Sequence, residues 1–246
     1  MEKKKKHNFK IDPNMIRHFE PSIIYSLQKE PVLNEFIFNL FNNASNFAFS
    51  EKIKNIDNKL KDSQFYNTFP GSHYRILNGI VKFLNPKLVI EVGTYTGMGA
   101  FALSQNLNGK IVSFDIIDYM NFETHLNDEF LKKNKFKQYL SDLSEKTEYD
   151  KHYQLLNNAD IIFVDAPKDG KFEYKLLENM TNLKNKENKI LILDDIKFMN
   201  MINLWNSIQS PKMDVASVGN WTGTGLVDIS KGLILNNKTQ PIASQN

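Results

Sequence analysis

Leu88-Val89-Ile90-Glu91-Val92-Gly93-Thr94-Tyr95-Thr96-Gly97 sets the architecture of this chain. A run of strand length, apolar except for Glu91, enters a loop bracketed by Gly93 and Gly97, and a helical pattern follows from Met98 to Leu107. Strand, glycine-rich turn and helix in that order is how doubly wound α/β folds open a nucleotide site at the carboxyl edge of the sheet. Without a Cβ, each glycine lets the loop take positive φ and lets its backbone approach a flat ligand closely. The spacing is G-x-x-x-G, whereas a pyrophosphate needs G-x-G-x-x-G. A dinucleotide is therefore disfavoured, and a nucleoside carrying an amino-acid tail fits better. The plain alternative is a tight strand-to-helix connection that binds nothing.

Working outward, a helix is expected from Phe69-Pro70-Gly71 through Ile76, Ile80, Val81 and Leu84, closed by Asn85-Pro86. Beyond the glycine loop, Ile111 to Asp115 reads as a second strand. A polar helical stretch with Phe122, Leu126, Phe130 and Leu131 follows, then a third strand from Phe136 to Leu140 that ends at Ser141-Asp142. Ile161 to Asp165 and Ile190 to Asp195 are buried strands with acidic ends. Phe172 to Leu183 and Phe198 to Ile208 have helical periodicity. Alternating β and α demands a parallel sheet with helices on both faces. The tail breaks the alternation: Asp214 to Gly219 and Gly225 to Ile229 read as strands joined by residues 220–224, which makes an antiparallel hairpin. The expected fold is a doubly wound, mostly parallel seven-stranded sheet with a terminal antiparallel hairpin.

Residues 1–68 carry no motif and are read as a basic tail plus a helical extension, with the main domain at 69–246. Pro31 suits a first helical position, and Val32, Leu33, Phe36, Ile37, Leu40 and Phe41 keep helical spacing. Glu51 to Asp62 is strongly charged and reads as a surface helix. This part either covers one end of the core or shapes a pocket; the sequence leaves both open.

Composition narrows the function. The 246 residues are 41% hydrophobic and 24% charged, which is globular composition. A net charge of +3 is too mild to argue for nucleic acid, and Lys3-Lys4-Lys5-Lys6 reads as a solvated tail. The absence of cysteine excludes disulfides, thiolate metal sites and cysteine nucleophiles. No apolar stretch approaches the roughly 20 residues of a spanning helix, so the expectation is a soluble, cytoplasmic protein. There is no G-x-S-x-G elbow, P-loop or H-E-x-x-H. His7, His18, His73, His125 and His152 are scattered without ligand spacing, and His73, though it precedes the opening strand, is read as a surface or core residue.

Four strands end in acid: Glu91, Asp115, Asp165 and the pair Asp194-Asp195. Parallel strands present their carboxyl ends to one crevice. Singly, each acid is equally readable as a helix cap. Asp115 lies 22 positions after Gly93, close to the roughly 20-residue offset at which an acid meets ribose hydroxyls. Asp142 is placed to accept from an adenine amino group. Asp165, Asp194 and Asp195 offer hard oxygen ligands, which suit Mg2+, Mn2+ or Ca2+ and not zinc. Lys168 follows Asp165 in Asp165-Ala166-Pro167-Lys168. Beside a divalent ion and a cationic cofactor, its pKa is expected to fall, so that it acts as a base.

Together these residues resemble the class I S-adenosylmethionine-dependent methyltransferases, and among them the metal-dependent O-methyltransferases of the catechol and caffeoyl-CoA type. The resemblance rests on Glu91-Val92-Gly93-Thr94-Tyr95-Thr96-Gly97, Asp115, Asp165-Ala166-Pro167-Lys168 and Asp194-Asp195, and runs from about Phe69 to Leu235. It implies that Glu91 and the loop Gly93, Thr94, Tyr95, Thr96 and Gly97 hold the methionine part of S-adenosylmethionine, with Asp165 beside it. Asp115 would hold the ribose and Asp142 the adenine, with Ile116 and Leu143 also binding the cofactor. Asp165, Asp194 and Asp195 would coordinate Mg2+, and Lys168 would be the base. Where that family commonly has Asp-Asn, this chain has Asp194-Asp195. Trp221 is read as a partly buried hairpin aromatic, with lining of the acceptor pocket as the alternative.

The expected function is O-methylation of a small-molecule or sugar hydroxyl with metal assistance. Its rivals are a metal-independent methyltransferase and a regulatory protein that binds the cofactor without transferring a methyl group. A dehydrogenase is disfavoured by the glycine spacing and the terminal hairpin. A small-molecule acceptor is the expected partner, without membrane or nucleic acid, and a homodimer is left open.

Overall fold

The computed structural model describes residues 34–134 and 136–236; the Lys3–Lys6 run and the helix start expected at Pro31 lie outside them. Its strands are β1 (Leu88–Val92), β2 (Lys110–Asp115), β3 (Lys137–Leu140), β4 (Ile161–Val164), β5 (Ile190–Asp194), β6 (Lys212–Asp214) and β7 (Thr224–Asp228). The helices are α1 (Glu35–Ser50), α2 (Tyr74–Leu84), α3 (Met98–Ser104), α4 (Asp128–Asn134), α5 (Lys146–Asn158), α6 (Lys171–Met180) and α7 (Met201–Ser207). The sheet order is β3-β2-β1-β4-β5-β7-β6. The first five strands pair in parallel, while β7 pairs antiparallel with both β5 and β6. This is the expected seven-stranded, mostly parallel sheet with its antiparallel end.

Successive side chains of a strand face opposite sides of the sheet, and the central strands sort themselves in this way. Val89, Ile111, Ile161, Phe163, Ile190 and Ile192 pack with residues of α1, α2 and α3. Ile90, Val112, Ile162, Val164, Leu191 and Leu193 pack with residues of α5, α6 and α7. Strands covered on both faces read as continuous apolar runs, which is why β1, β4 and β5 stand out in the sequence.

The described residues from Asn34 onward belong to one compact unit. Ile37, Leu40, Ala44 and Tyr66, from the segment before residue 69, share a layer with Ile76, Ile80 and Leu103. The surface helix expected over Glu51–Asp62 is absent. Asn55 and Asp62 take left-handed φ of 59° and 65°, which breaks any helix. Buried Ile53 is instead tied to the Asn67 side chain, which bonds both its N–H and its carbonyl. The terminal hairpin is also looser than expected, since β6 ends at Asp214 and residues 215–223 form the connection. An isolated bridge between Gly71 and Asn220 brings that connection to the start of α2. No helix among the described residues is long and apolar enough to cross a membrane.

Candidate active site

The strand order reverses between β1 and β4, so the loops leaving these strands diverge and open a crevice at their carboxyl ends. A cleft of about 1180 Å3 lies there, lined by the loops after β1, β2, β3, β4 and β5, the entry to α2, and Asn220 and Trp221. Of the residues singled out in the sequence, Gly93, Thr94, Tyr95, Thr96, Asp115, Ile116, Asp142, Asp165, Lys168, Asp194, Asp195 and Trp221 line it. Glu91, Gly97 and Leu143 do not.

The glycine loop is built from the backbone outward. Gly93 has φ 98°, and a Cβ there would stand 2.0 Å from the Asp165 carbonyl oxygen, so only glycine lets β1 and β4 diverge so closely. Gly97 has φ 84° and starts α3, packed against Leu126 instead of facing the cleft. Asp115 organises the loop. Its Oδ2 accepts the Thr94 and Tyr95 N–H groups, and its Oδ1 those of Ile116 and Ile117. Those four donors match the roughly four acceptor positions of a carboxylate, so a ribose at Asp115 would have to share them. Ile116 and Ile117 stand exposed at the cleft, an apolar surface fit for a flat base.

Glu91 departs from expectation. Its side chain is fully buried and turns away from the cleft, under α3, where a Cβ on Gly99 would stand 2.4 Å from its Oε1. Ser113 Oγ donates to its Oε2 at 2.6 Å. Gln138 Nε2 donates to Thr94 Oγ1 at 2.9 Å, which leaves the Thr94 hydroxyl to donate across the 2.7 Å gap to Ser113. A chain of hydrogen bonds thus runs from β3 through the glycine loop to Glu91. Burial pushes the Glu91 carboxyl up to about 8. Leu143 likewise lies in the apolar layer beneath α5 and α6.

At the other end of the cleft the acids converge. Lys168 Nζ lies 2.8 Å from Asp165 Oδ1 and 2.6 Å from Asp195 Oδ2. Asn220 Nδ2 donates to both oxygens of Asp194 and to Asp195 Oδ1, each at 3.2 Å, and Thr222 Oγ1 donates to Asp195 as well. Asn220, from the connection before β7, thus ties the two acids together. Lys168 and Asp195 both hold left-handed backbone, φ 68° and 57°, the kind of local strain that collects at functional sites. Glu173, buried, fixes the Lys168 turn by accepting the N–H groups of Lys168 and Gly170. Burial opposes the Lys168 ammonium, but Asp165 and Asp195 outweigh it and raise its pKa above the ordinary lysine value. The expected depression is therefore not a property of the protein alone. Burial and Asp194 raise the Asp165 carboxyl.

His73, set aside in the sequence, is the buried residue directly preceding α2, and its Nδ1 lies 3.2 Å from Asp194 Oδ1. One ligand atom each from His73, Asp165 and Asp194 lie within 4.8 Å of one another; among the described residues this is the one such group. Asp195 is not part of it. A lone histidine ahead of a helix gives no sequence signal of this placement. Trp221 is 80% exposed, so it is not the buried hairpin aromatic.

The donor set suits the ligands that the resemblance implies. Carboxylates at the glycine-loop end offer acceptors for hydroxyls and an amine, and negative charge to face a sulfonium. The crowded acids and the buried His73 ring, whose nitrogens make no hydrogen bond, suit a divalent cation.

The model of the O-methyltransferase family matches residues 50–219, and the chain belongs to that family. It is an S-adenosylmethionine-dependent methyltransferase. No curated protein matches it in sequence. Among solved structures it is similar to a methyltransferase from Geobacter sulfurreducens, at 17% identity and TM-score 0.45 over 92% of this chain and 98% of that one. It is also similar to the SAH-bound Podospora anserina methyltransferase PaMTH1, at 14% identity and TM-score 0.46 over 81% and 90%. A likeness to the MycE methyltransferase of the mycinamycin biosynthetic pathway, in complex with Mg, SAH and mycinamycin VI, has 14% identity and TM-score 0.37. It spans 47% of this chain and 29% of that one.

Proposed function

We propose that this methyltransferase transfers the methyl group of S-adenosylmethionine to a hydroxyl of a small molecule, with a divalent cation at the acidic end of the cleft. The observation that carries this reading is the placement of Asp165, Asp194 and Lys168 in the same cavity as the glycine loop. Bound there, the sulfonium supplies an already activated methyl group, and a divalent cation supplies Lewis acidity and orientation to the acceptor hydroxyl.

The chain's own residues do the rest. Gly93 to Thr96 hold the amino-acid part of the cofactor with backbone groups, and Asp165 stands beside it. Asp115 and Ile116 meet the ribose; Asp142 accepts from the adenine amino group. Asp165 and Asp194 hold the cation, while Asp195 steadies the Lys168 ammonium. Lys168 Nζ would take the acceptor's proton only after its own third proton has left, a loss favoured when a cation draws Asp165 away from the ammonium. Trp221, at the mouth, offers an exposed aromatic face to the acceptor. Holding two reactants in register is itself worth several kcal/mol of barrier, about 7–11 in well-oriented intramolecular cases.

The test is chelation. Protein stripped with EDTA and assayed with labelled S-adenosylmethionine over a panel of phenols and sugars should lose turnover and regain it when a divalent cation is restored. Undiminished turnover after thorough chelation defeats the metal-assisted reading and leaves a metal-independent enzyme.

A further inference from the structure

The His73 ring is 3% exposed, and neither of its nitrogens has a hydrogen-bond partner. Its Nδ1 lies 3.2 Å from Asp194 Oδ1, but not in line for a hydrogen bond. The ring is wedged between Tyr74 and Phe163, with centroids at 4.4 and 5.6 Å, so it cannot swing out to water. A buried imidazole answered only by carboxylates at ion-pair distance, with no hydrogen bond to either nitrogen, is costly to fold.

We propose that His73 is a metal ligand, completing with Asp165 and Asp194 a site of one nitrogen and two oxygens that selects a transition metal such as Fe2+, Co2+ or Zn2+ over Mg2+. The inference rests on the metal-assisted reading of this cleft and changes its ligand set. Metal–ligand distances of about 2.0–2.2 Å place two ligands at most about 4.4 Å apart. The three atoms here, all within 4.8 Å of one another, need to close by only a few tenths of an ångström. Two carboxylates balance a divalent charge, and a neutral imidazole adds the nitrogen that Mg2+ disfavours and later transition metals accept. Asp195 is left out because its oxygens do not join that group of mutually close ligand atoms. Three protein ligands leave coordination positions open, as catalytic metal sites do. The acceptor hydroxyl fits one of them.

The test uses the full chain and Co2+. Calorimetry should show Co2+ binding at least about tenfold tighter than Mg2+. Proton spectra of the Co2+ form should contain one hyperfine-shifted imidazole N–H resonance, split in protein labelled with 15N at histidine. His73→Gln should abolish that resonance and weaken Co2+ by about 10–100-fold, the range seen even when a residue merely touching a ligand is lost. S-adenosylhomocysteine binding verifies that the variant is folded, and the resonance in the unmutated chain does not depend on any variant. Co2+ binding with no imidazole resonance, or with one that persists in His73→Gln, overturns the proposal while leaving an all-carboxylate site intact. Binding of neither Co2+ nor Mg2+ overturns the proposal together with the metal-assisted reading.

Discussion

Two carboxylates hold the Lys168 ammonium at once, Asp165 at 2.8 Å and Asp195 at 2.6 Å, and its pKa is raised accordingly. A lysine so held steadies the acids or, once released, takes a proton, and the two roles separate by substitution. If Lys168 takes the acceptor's proton, Lys168→Met and Lys168→Arg should both lower kcat by about 10²–10⁴, with S-adenosylmethionine binding unchanged. Recovery of kcat in the arginine variant, which keeps the charge but cannot give up its proton to act as a base, would make Lys168 an electrostatic post. Glu91 is a second ionisable group whose surroundings shift its titration. Its folded-state pKa of about 8 lies above the ordinary 4.5, so the folded protein binds this proton more tightly than the unfolded chain. The resulting stability is complete below about pH 4.5 and is lost as pH rises toward 8, with a slope of up to about 1.4 kcal/mol per pH unit. Glu91→Gln, which keeps the Ser113 hydrogen bond, should flatten that decline. Denaturant unfolding from pH 5 to pH 8 measures it, and parallel curves for both proteins would show that Glu91 ionises normally.

At the scale of the element, α1 shows how the extension is fastened. Asn34 caps the helix by accepting the Ile37 N–H at 3.0 Å and donates through Nδ2 to Asp228 of β7 at 2.6 Å. Asn34→Ala should cost about 1 kcal/mol from the lost cap, visible as a lower denaturation midpoint with an unchanged slope. Elements differ in how plainly the sequence shows them, for physical reasons. β1, β4 and β5 are buried on both faces and stand out as unbroken apolar runs. For the same reason, the run cannot say which face Glu91 takes, and it takes the one under α3. The helix α5 goes unseen because, of its residues, only Tyr149 and Leu156 are buried, too few to set a period. The Glu51–Asp62 segment has the charge of a surface helix, but its course is fixed by Asn67 and by left-handed turns, contacts that no local window contains. The acids of the cleft are legible because parallel strands deliver their ends to one rim. His73 reaches Asp194 only through the tertiary fold.

For the whole molecule, the position of the cleft decides how ligands should act on stability. Two apolar layers cover the two faces of one sheet, and the cleft opens at the edge where they meet. Tyr74 and Met98, packed in the first layer, line it together with Val92, Phe114 and Phe172 from the second. A ligand filling the cleft therefore touches both layers, and neither can unfold without releasing it. Binding to the folded state alone adds RT ln(1 + [L]/Kd), about 2.7 kcal/mol at a hundredfold excess over Kd. For a chain of this size each kcal/mol raises Tm by about 2–4 °C, so S-adenosylhomocysteine at that excess should raise Tm by about 5–10 °C. The transition of the compact unit should move as a single step. A scan in which ligand splits the unfolding into two steps, one of them unmoved, would mean that the layers fold apart and that the ligand is held by one alone. Addition of a divalent cation should then raise Tm again, and EDTA should reverse only that second increment, because the cation and S-adenosylhomocysteine are separate ligands of the folded state.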